Sequence, residues 1–494
     1  MGNGPGDLED YFQIIYEYDV LCGGFVWEWC DHAIYQGQAA NGKEKYLYGG
    51  DFGEEVHDGK FLYGRTGISG HEHPIQGLFG IPECVPSGKS GIFLSENRGA
   101  VSGKLYELCG FKDYIYLVYE VNCDGKLLEK KQFILQESVL PHKKGTILLD
   151  ITVPDSGKCY LKVSYHLKHG TSVMAQGRRM GFDEILLKNQ DGRNQQATAL
   201  LETQEQKEAE VQVSETDRFL SIQSDTFFYV YNKLSGLFEQ LSVDGEELLE
   251  TPMELNIWRA PTDNDRKIKQ EWIDAGYDRS KARAYDTHWE MNGEGIRIYS
   301  TVSVAAVAIQ KVLDIEAVWK IYRTGEISVK MHVKKDREFP QLPRFGIRLF
   351  LRGEYENLKF YGLGPHESYR DKCRSCSHGL YDTTVEEQHE DYICPQENGS
   401  HTDCDYLMLE KENQTVTAVS SRPFSFNVSY YSQEELTRKA HNFELEKSGS
   451  TIVCLDYAQN GIGSNSCGPE LRKEYQFTEE TFTFDMKFLF GKEW

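Results

Sequence analysis

Three stretches carry residues whose types and spacing could do chemistry. KCRSC places Cys373 and Cys376 two residues apart, with Cys394, His401 and Cys404 downstream. Thiolates and an imidazole are zinc ligands, but sites of this kind use a second matched pair, so ordinary thiols are the expectation here. TDNDR (262–266) gathers Asp263 and Asn264 among turn-forming and charged groups. Such side chains cap a turn between strands. Trp27 lies in GGFVWEW. An indole face suits the apolar face of a sugar, yet a Trp in a buried strand is first of all a core residue.

The elements that must position these groups follow from periodicity. DLEDYFQIIYEYD (7–19) spaces Leu8, Phe12, Ile15 and Tyr16 near a helical repeat, and CGGFVWEWC then reads as a strand buried on both faces. YIYLVYEVNCDGKLLEKKQFIL (114–135) is two β-branched and aromatic runs around Asp124-Gly125, a hairpin signal. TILLDITV and KCYLKVSYHL add strands to a small sandwich ending near Leu187. Residues 189–216 are polar and rich in Gln and Glu, and predict a linker. Beyond it, Ile315, Ala317, Trp319 and Ile321 alternate with polar neighbours, as do Ile327, Val329, Met331 and Val333 after an RTGE turn. Two period-two strands of this kind form a hairpin with one face in a core, and nearly 280 residues with little helix signal predict a wide two-sheet sandwich.

Composition bounds the rest. A chain of 494 residues accommodates two or three domains, and 39% hydrophobic with 12% aromatic content supports real cores. With 54 basic and 77 acidic residues the net charge is −23, which repels nucleic acid and anionic membranes. No run approaches the roughly 20 apolar residues of a membrane span, and no signal segment opens the chain. Twelve scattered cysteines suit a reducing cytoplasm.

Several strings go further. GGFVWEWCDHAI with KYLYGGDFGE resembles the last barrel strand of the family 2 glycoside hydrolases of the β-galactosidase type. WRAPTDNDR (258–266), YGLGPHESYRDK (361–372), YICPQENGSHTDCDY (392–406), FSFNVSYYSQEEL (424–436) and GIGSNSCGPEL (461–471) resemble successive signatures of that family's C-terminal domain, in family order. The resemblance implies a mainly β chain: the remnant of a (β/α)8 barrel over 1–75, an immunoglobulin-like β-sandwich over 76–188, the linker, and a large galactose-mutarotase-like β-sandwich over 217–494. MGNGPGDLEDYF is similar to the stretch that follows the family's nucleophile in a motif E-Y-x-H-A-M-G-N. Met1 then falls inside the motif, and both catalytic Glu residues are expected upstream of it. Retaining glycosidases need two carboxyl groups roughly 5–5.5 Å apart, so no catalytic residue is assigned in this chain and no hydrolysis is expected from it alone.

From the same resemblance, Trp27 is expected to stack on galactose. Cys467 stands where one branch of the family has a Trp covering the site entrance, and Asp263 and Asn264 belong to a loop over the mouth. Phe61 falls where a Phe carbonyl binds Na+, although Gly64 replaces the Asp or Asn expected after it, and His57 falls at an accessory Mg2+ position. From residue 60 to about 111 the resemblance lapses. With permitted codons, KFLYGRTGISG read one base later can give NFCMDGLVYPD, and three further stretches shifted the same way also become family-like. The expectation is that 60–111 is translated out of frame, the alternative being a divergent loop and sandwich edge. The implied activity is hydrolysis of terminal β-D-galactosides such as lactose, in a homo-oligomer or with a complementing barrel-bearing chain. Rival readings are a non-catalytic partner subunit and a carbohydrate-binding β-sandwich.

Overall fold

The computed structural model describes residues 3–4, 6–24, 33–53, 84–86, 92–94, 111–136, 147–190, 192–202, 210–353, 355–412 and 414–491. The strand expected at 22–30, and most of the segment read as out of frame, lie outside the described residues apart from Cys22, Gly23 and Gly24 and a short hairpin of Cys84–Pro86 with Ile92–Leu94. Among the described residues no helix is long and apolar enough to cross a membrane.

The first stretch contains the helix Leu8–Glu17 and a two-stranded hairpin, Ile34–Gln38 with Glu44–Leu47. The middle domain is a four-stranded antiparallel sheet in the order Lys126–Phe133, Ile115–Cys123, Cys159–Leu167, Arg179–Leu187. Its alternation is regular: Ile115, Leu117, Tyr119, Val121 and Cys123 all point into one core. The hairpin turns at Asp124 and Gly125, both at positive φ (51° and 80°), the conformation that Asp-Gly supplies most readily. Two expectations differ here. The stretch 147–153 is not a strand, although Leu149 and Ile151 still fill the core. Cys123 and Cys159, opposite one another in adjacent strands, are joined as a disulfide rather than both being thiols.

Within the expected linker 189–216, the described residues include a docked helix. The helix Gln195–Leu201 is capped by the Asn194 side chain, which accepts from the Ala197 amide at 3.0 Å. Its apolar face, Ala197 and Leu200, packs on Tyr361, Tyr406, Val419 and Leu489 of the large domain. The ammonium of Lys487 donates to the carbonyls of Leu200, Leu201 and Glu202 at 3.0, 3.2 and 3.1 Å, filling the acceptors that a helix end leaves open. Gln212–Glu215 then forms the edge strand of a five-stranded sheet. Polar composition misled because two apolar residues suffice to seat a helix of two turns.

The large domain sets that five-stranded sheet against a twelve-stranded one. The expected hairpin is present as Leu313–Tyr322 with Ile327–Lys335, in the register Ile315↔Val333 and Trp319↔Val329. Between the sheets, Trp319 meets Phe238 edge-on at 5.1 Å, and Tyr229 and Tyr231 lie beside Phe238. Each polar tip has a partner: Trp319 Nε1 donates to Gly236 O at 3.2 Å, Tyr229 OH to Gly325 O at 2.7 Å, and Tyr231 OH meets Ser300 Oγ at 2.8 Å. The core thus buries large rings without stranding a donor. The strand Gln414–Ser429 organises the sheet. Its first half pairs with Thr481–Gly491 and its second with Ser450–Gln459, while Ser400–Lys411 runs along its other side.

Middle and large domains meet through charge. His378 sits between two carboxylates, Nδ1 at 2.6 Å from Glu184 and Nε2 at 2.6 Å from Asp403, with its ring stacked on Tyr160 at 4.1 Å. Lys158 reaches Asp405 at 3.2 Å, and Lys162 donates to Ser377 Oγ at 2.9 Å. Burial opposes the charge on His378, but the two carboxylates prevail and raise its pKa from 6.5 to about 9. Stability from the imidazolium is therefore fully present below pH 6.5 and lost as pH rises through 9. A shift of this size corresponds to about 3 kcal/mol. The urea midpoint is expected to fall between pH 7 and pH 10 in the parent chain. His378→Ala should lower it at pH 7 and abolish most of that difference.

Candidate functional site

The residues singled out in TDNDR and SNSCGPE meet at one end of the large sandwich, over a buried ionic floor. Arg259 follows the strand Leu249–Asn256 and is fully buried. It grips Asp265 with two nitrogens, at 3.1 and 2.7 Å, and donates to the carbonyls of Asn460 and Gly461 at 2.9 and 3.1 Å. Arg344, also fully buried, binds Asp456 with two nitrogens and Glu397 Oε1 at 2.7 Å. Glu397 in turn accepts the Ala260 amide at 3.1 Å. Burial pushes the Glu397 carboxyl up, with Arg344 and Arg259 opposing. These bonds tie 258–265, 396–398 and 456–461 into one platform.

The rim is built on it. Thr262 and Asp265 form a capping box around the short helix Asp263–Asp265, so the turn reading of this string holds. Asn264 is buried and stitches the neighbouring loop: its Nδ2 donates to Gly463 O at 2.7 Å and Gly4 O at 3.3 Å, and its Oδ1 accepts the Ser466 amide at 3.0 Å. Asp263 is half-buried; its amide donates to Gln396 Oε1 at 3.3 Å, and its charge contributes to raising the Cys394 thiol, which burial chiefly pushes up. Cys467 is exposed at the tip of the turn 464–468, its amide bonded to Ser464 O at 3.3 Å.

The N-terminal segment runs into this rim. Asn3 is wholly buried: its amide donates to Gln396 Oε1 at 3.1 Å, its side-chain nitrogen to Glu397 O at 2.9 Å, and its side-chain oxygen accepts from Lys372 Nζ at 2.9 Å. Gly6 lies where a Cβ would stand 2.4 Å from both Asp371 Oδ2 and the Gly463 nitrogen, so only glycine fits. Asp7 follows at φ 58°, its carboxylate accepting from Ser464 Oγ at 3.1 Å. Burial, with Asp371 second, raises its pKa from 3.8 to about 6. Further along, Asp51 meets His441 at 2.8 Å, and Asn41 and Lys43 donate to the carbonyls of Phe443 and Leu445.

The structure thus brings Asp263, Asn264 and Cys467 together, the first two as framework and Cys467 as the exposed member. Trp27, His57 and Phe61 lie outside the described residues. The carboxylates around the rim are engaged as scaffold: Asp265 by Arg259, Glu397 by Arg344, Asp371 by the amides of Ile462 and Gly463, Glu367 by Lys372. Among the described residues no group of three or more His, Cys, Asp and Glu is arranged to hold a metal. His401 is instead a buried neutral ring between Leu363 O and Gln388 Oε1, pushed down to about 4 by burial. Sequence reasoning missed Asn3, Gln396, Arg259 and Arg344. The loop 395–401 ties into the sandwich through Glu397 and also seats Asn3.

A family model described as "Beta galactosidase small chain" matches residues 223–489, more than half of the chain. The chain belongs to the β-galactosidase family. Models described as "Glycosyl hydrolases family 2, TIM barrel domain" and "Beta-galactosidase, domain 4" match residues 1–79 and 110–188. It is 35% identical to the β-galactosidase of Actinobacillus pleuropneumoniae over all of its length and 47% of that protein. The corresponding enzyme of Staphylococcus xylosus gives 33% over 99% and 48%, and that of Kluyveromyces lactis 29% over 99% and 46%. The chain therefore spans about half the length of these curated relatives, as a C-terminal portion. Among solved structures, a galactose 1-epimerase from Lactobacillus acidophilus NCFM covers 57% of this chain and 99% of its own at 8% identity and a TM-score of 0.34.

Two measurements test the platform and its occupant. Arg344→Met leaves Glu397 and Asp456 buried without their guanidinium and should cost about 3–5 kcal/mol in denaturant unfolding. Because the folded Asp7 carboxyl titrates above its unfolded value, docking of the N-terminal segment is strongest at low pH and weakens as pH rises through 6. Amide exchange over residues 8–17 should be slower at pH 5 than at pH 8 after correction for intrinsic rates. Asp7→Asn, which also tolerates this backbone conformation, should flatten that difference.

Proposed function

We propose that this chain is the C-terminal part of a retaining β-galactosidase, acting on terminal β-D-galactosides such as lactose. In this reading it holds the segment following the nucleophile and shapes the entrance to the sugar site. The observation that supports it is the seating of Asn3, Gly6 and Asp7 on loops 262–264, 396–397 and 461–468. The segment that resembles the run after the nucleophile is fixed by bonds from both sides, as a residue shortly before it would need to be.

The chemistry divides accordingly. One carboxylate attacks the anomeric carbon and a second protonates the leaving oxygen, and then activates water to release the sugar. Both carboxyls come, on this reading, from a complementing barrel-bearing sequence, and the chain by itself is inactive. Trp27 stacks on the galactose ring, while Cys467 lines the approach and Asp263 and Asn264 frame it. Mg2+ and Na+ belong to the same reading, through His57 and the Phe61 carbonyl with ligands from the barrel. The working form is a cytoplasmic oligomer, in keeping with the net charge of −23.

The test is reconstitution. The chain alone should hydrolyse no nitrophenyl β-D-galactoside. Mixed with a separately expressed barrel-bearing N-terminal half of a close relative, it should regain turnover with retention of anomeric configuration. Turnover by the chain alone would refute the division of labour. Failure to bind the N-terminal half at all would refute the docking role.

A further inference from the structure

Cys373 and Cys376 lie in a tight turn. The amide of Cys376 donates to Cys373 O at 2.9 Å, closing a turn that brings the two Cα atoms within about 7 Å. Disulfides usually span Cα separations of roughly 4.4–6.8 Å, and the turn holds the pair near that range. The two thiols are unequal. Cys373 is half-buried, whereas Cys376 is 4% exposed, with Sγ donating to His366 O at 3.2 Å. Burial pushes the Cys376 thiol up to about 12, and the neighbouring Cys373 adds to the effect. Arg374 is exposed between them, a local positive charge on an acidic protein.

We propose that Cys373 and Cys376 form a thiol–disulfide modification site, closed by a small anionic disulfide of the oxidised-glutathione class. Cys373, as thiolate, attacks one sulfur of the small disulfide. A Cys373–glutathione mixed disulfide forms, and one glutathione thiolate leaves and takes up the proton that Cys373 lost. Cys376 then gives up its proton and attacks Cys373 Sγ, expelling the second glutathione, which takes that proton. Two protein thiols are oxidised to one disulfide, and one glutathione disulfide is reduced to two thiols.

The location gives the modification its reach. Immediately before the turn, Lys372 holds Asn3 and the buried Glu367. Immediately after it, Ser377 receives Lys162, and His378 bridges Glu184 and Asp403. Closure removes the S–H that Cys376 donates to His366 O and locks the short link between the N-terminal anchor and the interdomain contact. The exposed Cys467 has no second cysteine in its loop 461–471 and can stop only at the mixed disulfide.

The test exposes the whole chain to oxidised glutathione, blocks remaining thiols by alkylation, and maps unreduced tryptic peptides. The expected product joins dipeptide 373–374 to peptide 375–411, with fragmentation placing the link at Cys376 and no glutathione retained, and reducing agent should reverse it. Cys376→Ser should trap glutathione on Cys373, and Cys373→Ser should leave Cys376 unmodified. The proposal is overturned if glutathione stays on Cys373 in the parent chain. It is equally overturned if both cysteines are alkylated under conditions that glutathionylate Cys467. The map of the parent chain decides the question even where a variant fails to fold.

Discussion

The paired guanidinium groups of Arg259 and Arg344 are the constraint on which the end of the large domain depends. Both are fully buried, and between them they face three carboxylates, Asp265, Asp456 and Glu397. Such a group gains little over a well-packed apolar core, since desolvation offsets most of the attraction. What it fixes is geometry. A planar fork satisfied on both nitrogens tolerates little rotation, and each carboxylate comes from a different piece of chain. The loops 258–265, 396–398 and 456–461 inherit their relative positions from these bonds. Asn264, Gln396 and Gly463 are then placed to receive the N-terminal segment.

A second layer of charge operates between domains. The middle sheet is small, and its core is confined to one face. Its attachment relies on His378 held between Glu184 and Asp403, on Lys158 and on Tyr160. The helix Gln195–Leu201 continues the same logic, since it is held as much by the ammonium of Lys487 at its carbonyl end as by two apolar side chains. Among the described residues, buried cations recur at joints in this protein, while aromatic rings and aliphatic side chains carry the packing of the main core.

Much of the fold was legible in the sequence where a face is buried, because a period of two then leaves one register open. The hairpin of Ile315–Ile321 with Ile327–Val333 and the Asp124-Gly125 turn are of this kind. Residues 189–216 were misread because composition reports average polarity, whereas docking depended on Ala197, Leu200 and one distant lysine. The stretch 147–153 was misread for the opposite reason: its residues fill a core without making ladder bonds. At the candidate site, the turn chemistry of TDNDR was legible, but which of its side chains face inward was not. Asn264 and Asp265 are turned inward by partners some two hundred residues away or by Arg259, which no local pattern reveals.

The strand Thr481–Gly491 lies between Gln414–Ser429 and Ile327–Lys335, near the middle of the twelve-stranded sheet, although it follows them in the chain. During vectorial synthesis the ribosome delivers the flanks of this sheet first and its centre last. Until then, two strands face each other across a gap, each offering an unpaired edge to any neighbouring polypeptide. The same late strand carries Lys487, so the helix that joins the middle domain to the large one also waits for it. Closure of the twelve-stranded sheet therefore waits for this strand. Premature release from translation would leave not a shortened sandwich but an open one.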